Sequence, residues 1–308
     1  MPTLLSDMDD ISTQAVAAAV EVAGRHGVRS TAPRLLKAGS NAMVHLYPAP
    51  VVARVATTSA WIRTPSETWL ERDLDLASYL LAQGAPVVPP SNEIPPGPHR
   101  SSSVSAADTS MAMTFWTFVE VDKDHPASDE EAAAALHALH GALRNYPRHL
   151  PYLGVLLEEL PHWLHWLEQN RVLPGSDLLE LREAQWNLAN TLHRNRLPLQ
   201  PLHGDAHSGN VLRTPDGLLW LDFEDACSGP VAWDVATLLS RQAVRDTEAV
   251  DRVLSAYPNP PSWPDLQPFL DARELEAVIY YQVLARRFPK RLPEAESALH
   301  AWQRKRGQ

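Results

Sequence analysis

The apolar positions of this chain change period along its length, from helical to alternating and back to helical. Val16, Ala19, Val20 and Ala23 share one face of a helix predicted over about Ser12–His26, with Gly27 as its stop. Three short β-prone runs follow, Leu35–Ala38, Met43–Tyr47 and Val51–Val55, split by Gly39-Ser40-Asn41 and Pro48-Ala49-Pro50. That pattern predicts antiparallel strands. A second helix starts at Thr64 as N-cap, with Pro65 at its first position and Glu67 closing a capping box. Trp69, Leu70, Leu74, Ala77 and Leu81 supply its apolar face, and Gly84 ends it.

Residues 91–110 are rich in Pro, Ser and Gly and read as a loose hairpin or mobile loop. Met111–Val119 then reads as a buried strand running into a connector. Beyond Pro126 the helical period dominates. Ser128 and Glu131 form a second capping box at the head of a helix through Leu143. Further helices are expected near 161–170 and 177–194, a β and loop region at 202–226, and a helical tail from Trp263 to Trp302. Strands first, then a connector, then helices around one embedded hairpin predict an α+β, two-lobed architecture. The boundary falls between 118 and 119, giving lobes 1–118 and 119–308.

Composition narrows the function more than the fold. Of 308 residues 44% are hydrophobic and 21% charged, an ordinary globular balance with ample length for a core. The single cysteine, Cys227, excludes an intrachain disulfide and a cysteine-rich metal cluster, and it reads as a small core residue. The acidic N-terminus lacks a basic region followed by an apolar stretch, and no apolar run approaches the ~18 residues of a membrane span. These features predict a cytoplasmic protein with no membrane partner. A net charge of −10 argues against a nucleic-acid partner and is compatible with a cationic small molecule.

The chemistry is concentrated in Leu202–Asp225. Thr214-Pro215-Asp216-Gly217 is a tight turn joining Val211–Arg213 to Leu218–Leu221, so the two runs form a hairpin. Asn210 and Asp222 flank its open end, on adjacent strands about 5 Å apart. Asp205 lies upstream in a turn containing Gly204 and Gly209. Two carboxylates and an amide gathered this way suit Mg2+, which takes one or two carboxylates and leaves positions for phosphate oxygens. A third carboxylate nearby can accept a proton from an attacking hydroxyl. The simpler reading of the same residues is that they cap turns.

His203-Gly-Asp-x-His-x-x-Asn210, Asp222-Phe-Glu, Gly229-Pro230 and Trp233-Asp234 together resemble the aminoglycoside phosphotransferase family, relatives of protein kinases. The resemblance is strongest from Leu202 to Leu239 and weaker elsewhere. It implies a two-lobed protein-kinase-like fold and Mg2+-dependent transfer of a phosphoryl group from ATP or GTP to a small hydroxylated acceptor. The first expectation for that acceptor is an aminoglycoside-like antibiotic, with other small metabolites as alternatives. By the resemblance Asp205 is the base or hydroxyl-orienting carboxylate, and Asn210 and Asp222 hold the metal. His203 and Asp234 support the catalytic loop, and Glu224 assists in second rank. His207, four residues after His203, is expected to make structural hydrogen bonds rather than to bind zinc.

The N-terminal half departs from the family pattern. Gly39 and Ser40 stand in the phosphate-covering loop, which is poor in glycine. Arg54 occupies the place of the usual phosphate-binding lysine; it keeps the charge but not the compact ammonium. Asp73 is its expected acidic partner, with Glu71 the alternative. The backbone from Trp116 to Val119, Thr117 and Val119 in particular, is the expected hinge against the base. The arginine leaves open a non-catalytic nucleotide-binding module, and His203, Asp205, His207 and Asp222 leave open a metal-dependent hydrolase. His137 and His140 read as packing or surface residues of their helix. Trp163 and Trp166 read as packing residues, with a substrate cleft as the less favoured alternative.

Overall fold

In the computed structural model, residues 5–58, 60, 63, 66–102, 110–240 and 247–306 are described. The first helix, α1, spans Leu5–Arg25, longer at its start than its periodicity predicts. Gly27 closes it with φ +83, a conformation in which glycine carries no Cβ penalty. The buried face is rotated from the predicted one. Ala15, Ala18, Ala19, Val22 and Ala23 enter the core, whereas Val16 and Val20 are only partly buried. Small residues are selected because α1 lies close against a sheet.

That sheet has the order β1-β2-β3-β5-β4, antiparallel at every pairing. Its strands are β1 (Arg34–Lys37), β2 (Asn41–His45), β3 (Val51–Ala56), β4 (His99–Arg100) and β5 (Ala112–Thr117). Central β3 is buried on both faces. Val51, Ala53 and Val55 join the α1 core, so the period of two puts Arg54 on the opposite face. The 91–110 stretch contributes β4 to the sheet; residues 103–109 lie outside the described residues.

The next helix, α2, spans Ser66–Ala82. The predicted cap, Thr64 and Pro65, lies outside the described residues. Leu70, Leu74, Leu76, Ala77 and Leu80 are its buried apolar residues, and Leu81 is 45% exposed, contrary to the sequence expectation. The periodicity there admits either Leu80 or Leu81, and packing chose Leu80. Asp73 sits within this buried face.

The chain divides into two compact units, Met1–Pro126 with Val211–Glu224, and Ala127–Asn210 with Asp225–Gln308. The first unit therefore includes the hairpin of β7 (Val211–Thr214) and β8 (Gly217–Trp220). Trp220 holds it there, exchanging backbone hydrogen bonds of 2.9 Å with Pro86 and Val88.

The second unit is mainly helical: α3 (Asp129–Leu143), α4 (Leu160–Gln169), α5 (Gly175–His193), α6 (Ala232–Ser240), α7 (Thr247–Ala256), α8 (Trp263–Arg287) and α9 (Leu292–Arg306). The Ser128–Glu131 capping box opens α3. One π-turn, Val155–Glu159, leads into α4. A two-stranded ribbon of β6 (Gln200–Leu202) and β9 (Cys227–Gly229) frames the loop at 203–210. Among the described residues no helix is long and apolar enough to cross a membrane.

Candidate active site

In the first unit the candidate site is built around Arg54, 4% exposed at the centre of the sheet. A guanidinium buried this deeply must be paired. It reaches Asp73 of α2, Asp222 just beyond β8 at 2.5 Å, and Glu224 at 2.7 Å. Glu71 is exposed and takes no part. Asp73 also accepts from the Phe223 amide at 2.8 Å, so a single helix residue ties β3 to the Asp222–Glu224 segment. Burial opposes the charge on Arg54, but Asp222, Glu224 and Asp73 outweigh it and push its pKa up. Asp73 goes the other way. Its pairing with Arg54 alone would lower it, yet burial prevails, helped by the charge of Asp222, and pushes it to about 6. One guanidinium shared among three carboxylates cannot neutralise all of them, so the burial effect decides its direction.

Glu224 is surrounded more completely than the sequence suggested. Arg63 reaches its Oε1 at 3.2 Å, Asn41 approaches it at 3.5 Å, and Arg72 donates to its backbone carbonyl at 3.2 Å. Arg63 and Arg72 both stack on Trp69, at 4.5 and 4.8 Å from the ring. Asp222 has φ +71, the left-handed region that non-glycine residues rarely adopt. Gly39 and Ser40 are fixed through their carbonyls, which accept from Thr57 Oγ1 at 3.1 and 3.0 Å. A Cβ at Gly39 would meet nothing nearer than 4.0 Å, so this turn has no steric need of glycine. The amides of Thr117 and Phe118 donate within the unit, to Pro89 and Pro50.

In the second unit the loop at 203–210 carries Asp205. Gly204, at φ +90, lies against the turn that precedes β9 so closely that a Cβ would sit 1.8 Å from the Asp225 carbonyl oxygen. Asp234, fully buried in the first turn of α6, accepts from the His203 and Gly204 amides at 2.8 and 2.9 Å. Trp233 donates its indole N–H to the Gly204 carbonyl at 2.8 Å. The loop is thus held through its backbone on both sides of Gly204. Asn210 donates from Nδ2 to the Asp205 carbonyl at 3.0 Å.

The Asp205 carboxylate meets Arg273 of α8 at 2.7 Å and His207 at 3.4 Å. Burial favours its neutral form, but the His207 hydrogen bond and the Arg273 charge hold the carboxyl well below the usual range. Arg273 also meets Glu276 at 2.7 Å and lies over the Trp233 ring at 5.3 Å. Despite that ion pair Glu276 is pushed up to about 8, because burial and the charges of Asp205, Asp225 and Glu159 outweigh Arg273. Arg273, Glu276, Arg63 and Arg72 were not singled out in the sequence. They come from helices and a connector whose local pattern carries no motif, so only burial beside the candidate residues marks them. Among the described residues no group of three or more His, Cys, Asp or Glu side chains is placed to hold a metal ion.

Comparison with known proteins bears on this arrangement. The family model described as "phosphotransferase enzyme family" matches residues 11–269. Stress response kinase A of Salmonella paratyphi A (strain ATCC 9150 / SARB42) is 32% identical over 99 residues, 30% of each chain, so the alignment spans under a third of that relative. A microcompartment-associated aminopropanol kinase superposes with a TM-score of 0.66 at 18% identity, covering 94% of this chain and 97% of the other. The GDP and kanamycin complex of APH(2")-IIia superposes at 0.62 with 13% identity, covering 94% and 99%. At such identities the superpositions establish the kinase-like fold.

Proposed function

The chain belongs to the phosphotransferase enzyme family, and from that premise we propose that it moves the γ-phosphoryl group of ATP or GTP onto a hydroxyl of a small acceptor. The observation that carries this reading is the buried ion-pair network of Arg54 with Asp73, Asp222 and Glu224. An arginine held charged on the central strand, oriented by a helix carboxylate, is equipment for gripping phosphate oxygens. Asp222 and Asn210, the metal ligands expected from the family pattern, offer hard oxygen atoms of the kind Mg2+ selects. When bound, that cation offsets the charge of the phosphates. Arg54 exchanges part of its carboxylate pairing for phosphate and so positions the nucleotide.

Asp205 is kept ionised by His207 and Arg273, which makes it a ready acceptor of a hydrogen bond from the attacking hydroxyl. Held charged in this way, it can orient the hydroxyl and receive its proton. The acceptor is proposed to be cationic, an aminoglycoside-like or other amino-bearing alcohol. Asp205, Asp225 and Glu159 all act on Glu276 beside Arg273, which makes this part of the second unit rich in acidic groups.

The test is a panel of hydroxylated amines and neutral polyols incubated with Mg2+ and ATP or GTP, read by mass spectrometry for an added phosphoryl group. Amino-bearing compounds should be modified, and Asp205→Asn should lower turnover about 10²–10⁴-fold with nucleotide affinity nearly unchanged. Tight nucleotide binding with no transfer and no hydrolysis would instead favour the non-catalytic reading.

A further inference from the structure

His140 interrupts an otherwise apolar face of α3, formed by Ala132, Ala133, Leu136, Leu139 and Leu143. It is 2% exposed, in a place where a leucine would pack equally well, so its polarity calls for a reason. Its two ring nitrogens meet two different groups. Nε2 lies 2.9 Å from Asp234 Oδ2, and Nδ1 lies 2.8 Å from the Tyr257 hydroxyl. A carboxylate only accepts, so Nε2 carries a proton and donates it. Tyr257 is 5% exposed; burial and the charge of Asp234 push its hydroxyl up to about 12, so it keeps its proton and can donate to Nδ1. Gln200 donates to the His140 backbone carbonyl at 3.1 Å, fixing this point of α3 against β6 and the start of the 203–210 loop.

Asp234 Oδ1 is thus held by the Gly204 amide, and Oδ2 by the His203 amide and His140 together. A carboxylate restrained at both oxygens from three directions has one rotamer. The two amides it holds immediately precede Asp205. We propose that His140 is a positioning residue for the catalytic loop, fixing Asp234 and through it the backbone from which Asp205 projects. The geometry stands on its own; the catalytic consequence rests on the proposed role of Asp205. Outer partners of this kind commonly cost roughly 10–100-fold when removed, because sub-ångström misplacement of a reacting group is expensive.

The decisive comparison is His140→Gln against His140→Asn in the full chain. Glutamine can place its amide nitrogen where Nε2 was and keep the donor to Asp234; asparagine is too short to do so. Both are polar, and asparagine is the poorer helix former by only about a few tenths of a kcal/mol. Turnover is read as Mg2+-dependent nucleotide hydrolysis without acceptor, nucleotide affinity by calorimetry with Mg2+·ADP, and loop order by amide hydrogen exchange of the segment 200–206. His140→Asn should lower kcat roughly 10–100-fold, leave nucleotide KM and Kd within about threefold, and speed exchange in that segment. His140→Gln should recover most of the turnover and the protection. The proposal is overturned if the folded Asn variant matches the wild type in kcat and exchange, or if Gln and Asn are equally impaired. If the wild type shows neither hydrolysis nor transfer to any acceptor of the panel, the phosphotransfer reading fails by itself, while hydrogen exchange still decides whether His140 orders the loop.

Discussion

Removing the Arg54 guanidinium should be among the most costly single changes in the first unit. Arg54→Ala deletes three ion pairs at once, but they are not equal. Asp222 is 27% exposed on its side chain and can be resolvated, and Glu224 keeps Arg63 and Asn41. Asp73 is 1% exposed and keeps the Phe223 amide, so most of the cost falls on this one buried carboxylate. Breaking a buried pair from one side costs about 3–5 kcal/mol. Asp73 already sits at about 6 with the guanidinium present, so without it the carboxyl takes up a proton near neutral pH. That escape places the expected loss toward the lower end, about 3 kcal/mol, or a urea midpoint roughly 1 M lower at an m-value of about 3 kcal/mol/M.

Arg54→Lys retains one cation of shorter reach and should lose about 1–2 kcal/mol, with much of the nucleotide use preserved. In Arg54→Met combined with Asp73→Leu no buried charge is stranded, so stability should largely return while nucleotide affinity does not. Urea unfolding of these three variants and of the single substitutions Arg54→Met and Asp73→Leu, with Mg2+·ADP titration, gives all of these quantities. A loss under about 1 kcal/mol for Arg54→Ala, or an Arg54–Asp73 coupling energy near zero in a double-mutant cycle, would refute the argument.

Three further outcomes are expected. Gly204→Ala adds a Cβ 1.8 Å from the Asp225 carbonyl oxygen at φ +90, so backbone must move. A stability loss of at least about 2–3 kcal/mol in urea, with turnover abolished in the folded fraction, checks this. Glu276 sits at about 8 in the fold against 4.5 unperturbed, so the folded state binds a proton that the unfolded chain releases between those values. Its charge therefore costs stability as pH rises through that window, and Glu276→Gln should melt higher than wild type near pH 8.5 and almost equally near pH 5. A melting difference independent of pH would contradict the assignment. For Asp205 the shift is downward, so the carboxylate stays charged at mildly acidic pH, and Arg273→Gln should raise the acid limb of the kcat/KM profile. An unmoved limb would show that Arg273 does not set that charge.

Much of this was legible in the sequence where local chemistry is decisive. The turn at Thr214–Gly217 pins the β7–β8 hairpin, Ser128 and Glu131 fix the start of α3, and Gly27 and Gly84 both take positive φ at helix ends. These features depend on residues a few positions apart, whose hydrogen bonds and backbone freedom are the same in any fold. The 203–234 motif was likewise readable, because its order along the chain is its signal. Other features needed the tertiary structure. The face of α1 turned because a close-packed sheet takes alanine where periodicity alone also admits valine. Arg54 reads in isolation as a surface arginine; as the fourth residue of a strand buried on both faces it must be paired, and Asp73 in the buried face of α2 receives it. His140 reads in the sequence as a packing or surface residue because its partners, Asp234 and Tyr257, are 94 and 117 residues away. Arg273 and Glu276 come to Asp205 from a helix with no motif at all. Long-range pairing of buried polar groups costs desolvation and is repaid only by geometry, and that geometry exists only once the chain has folded.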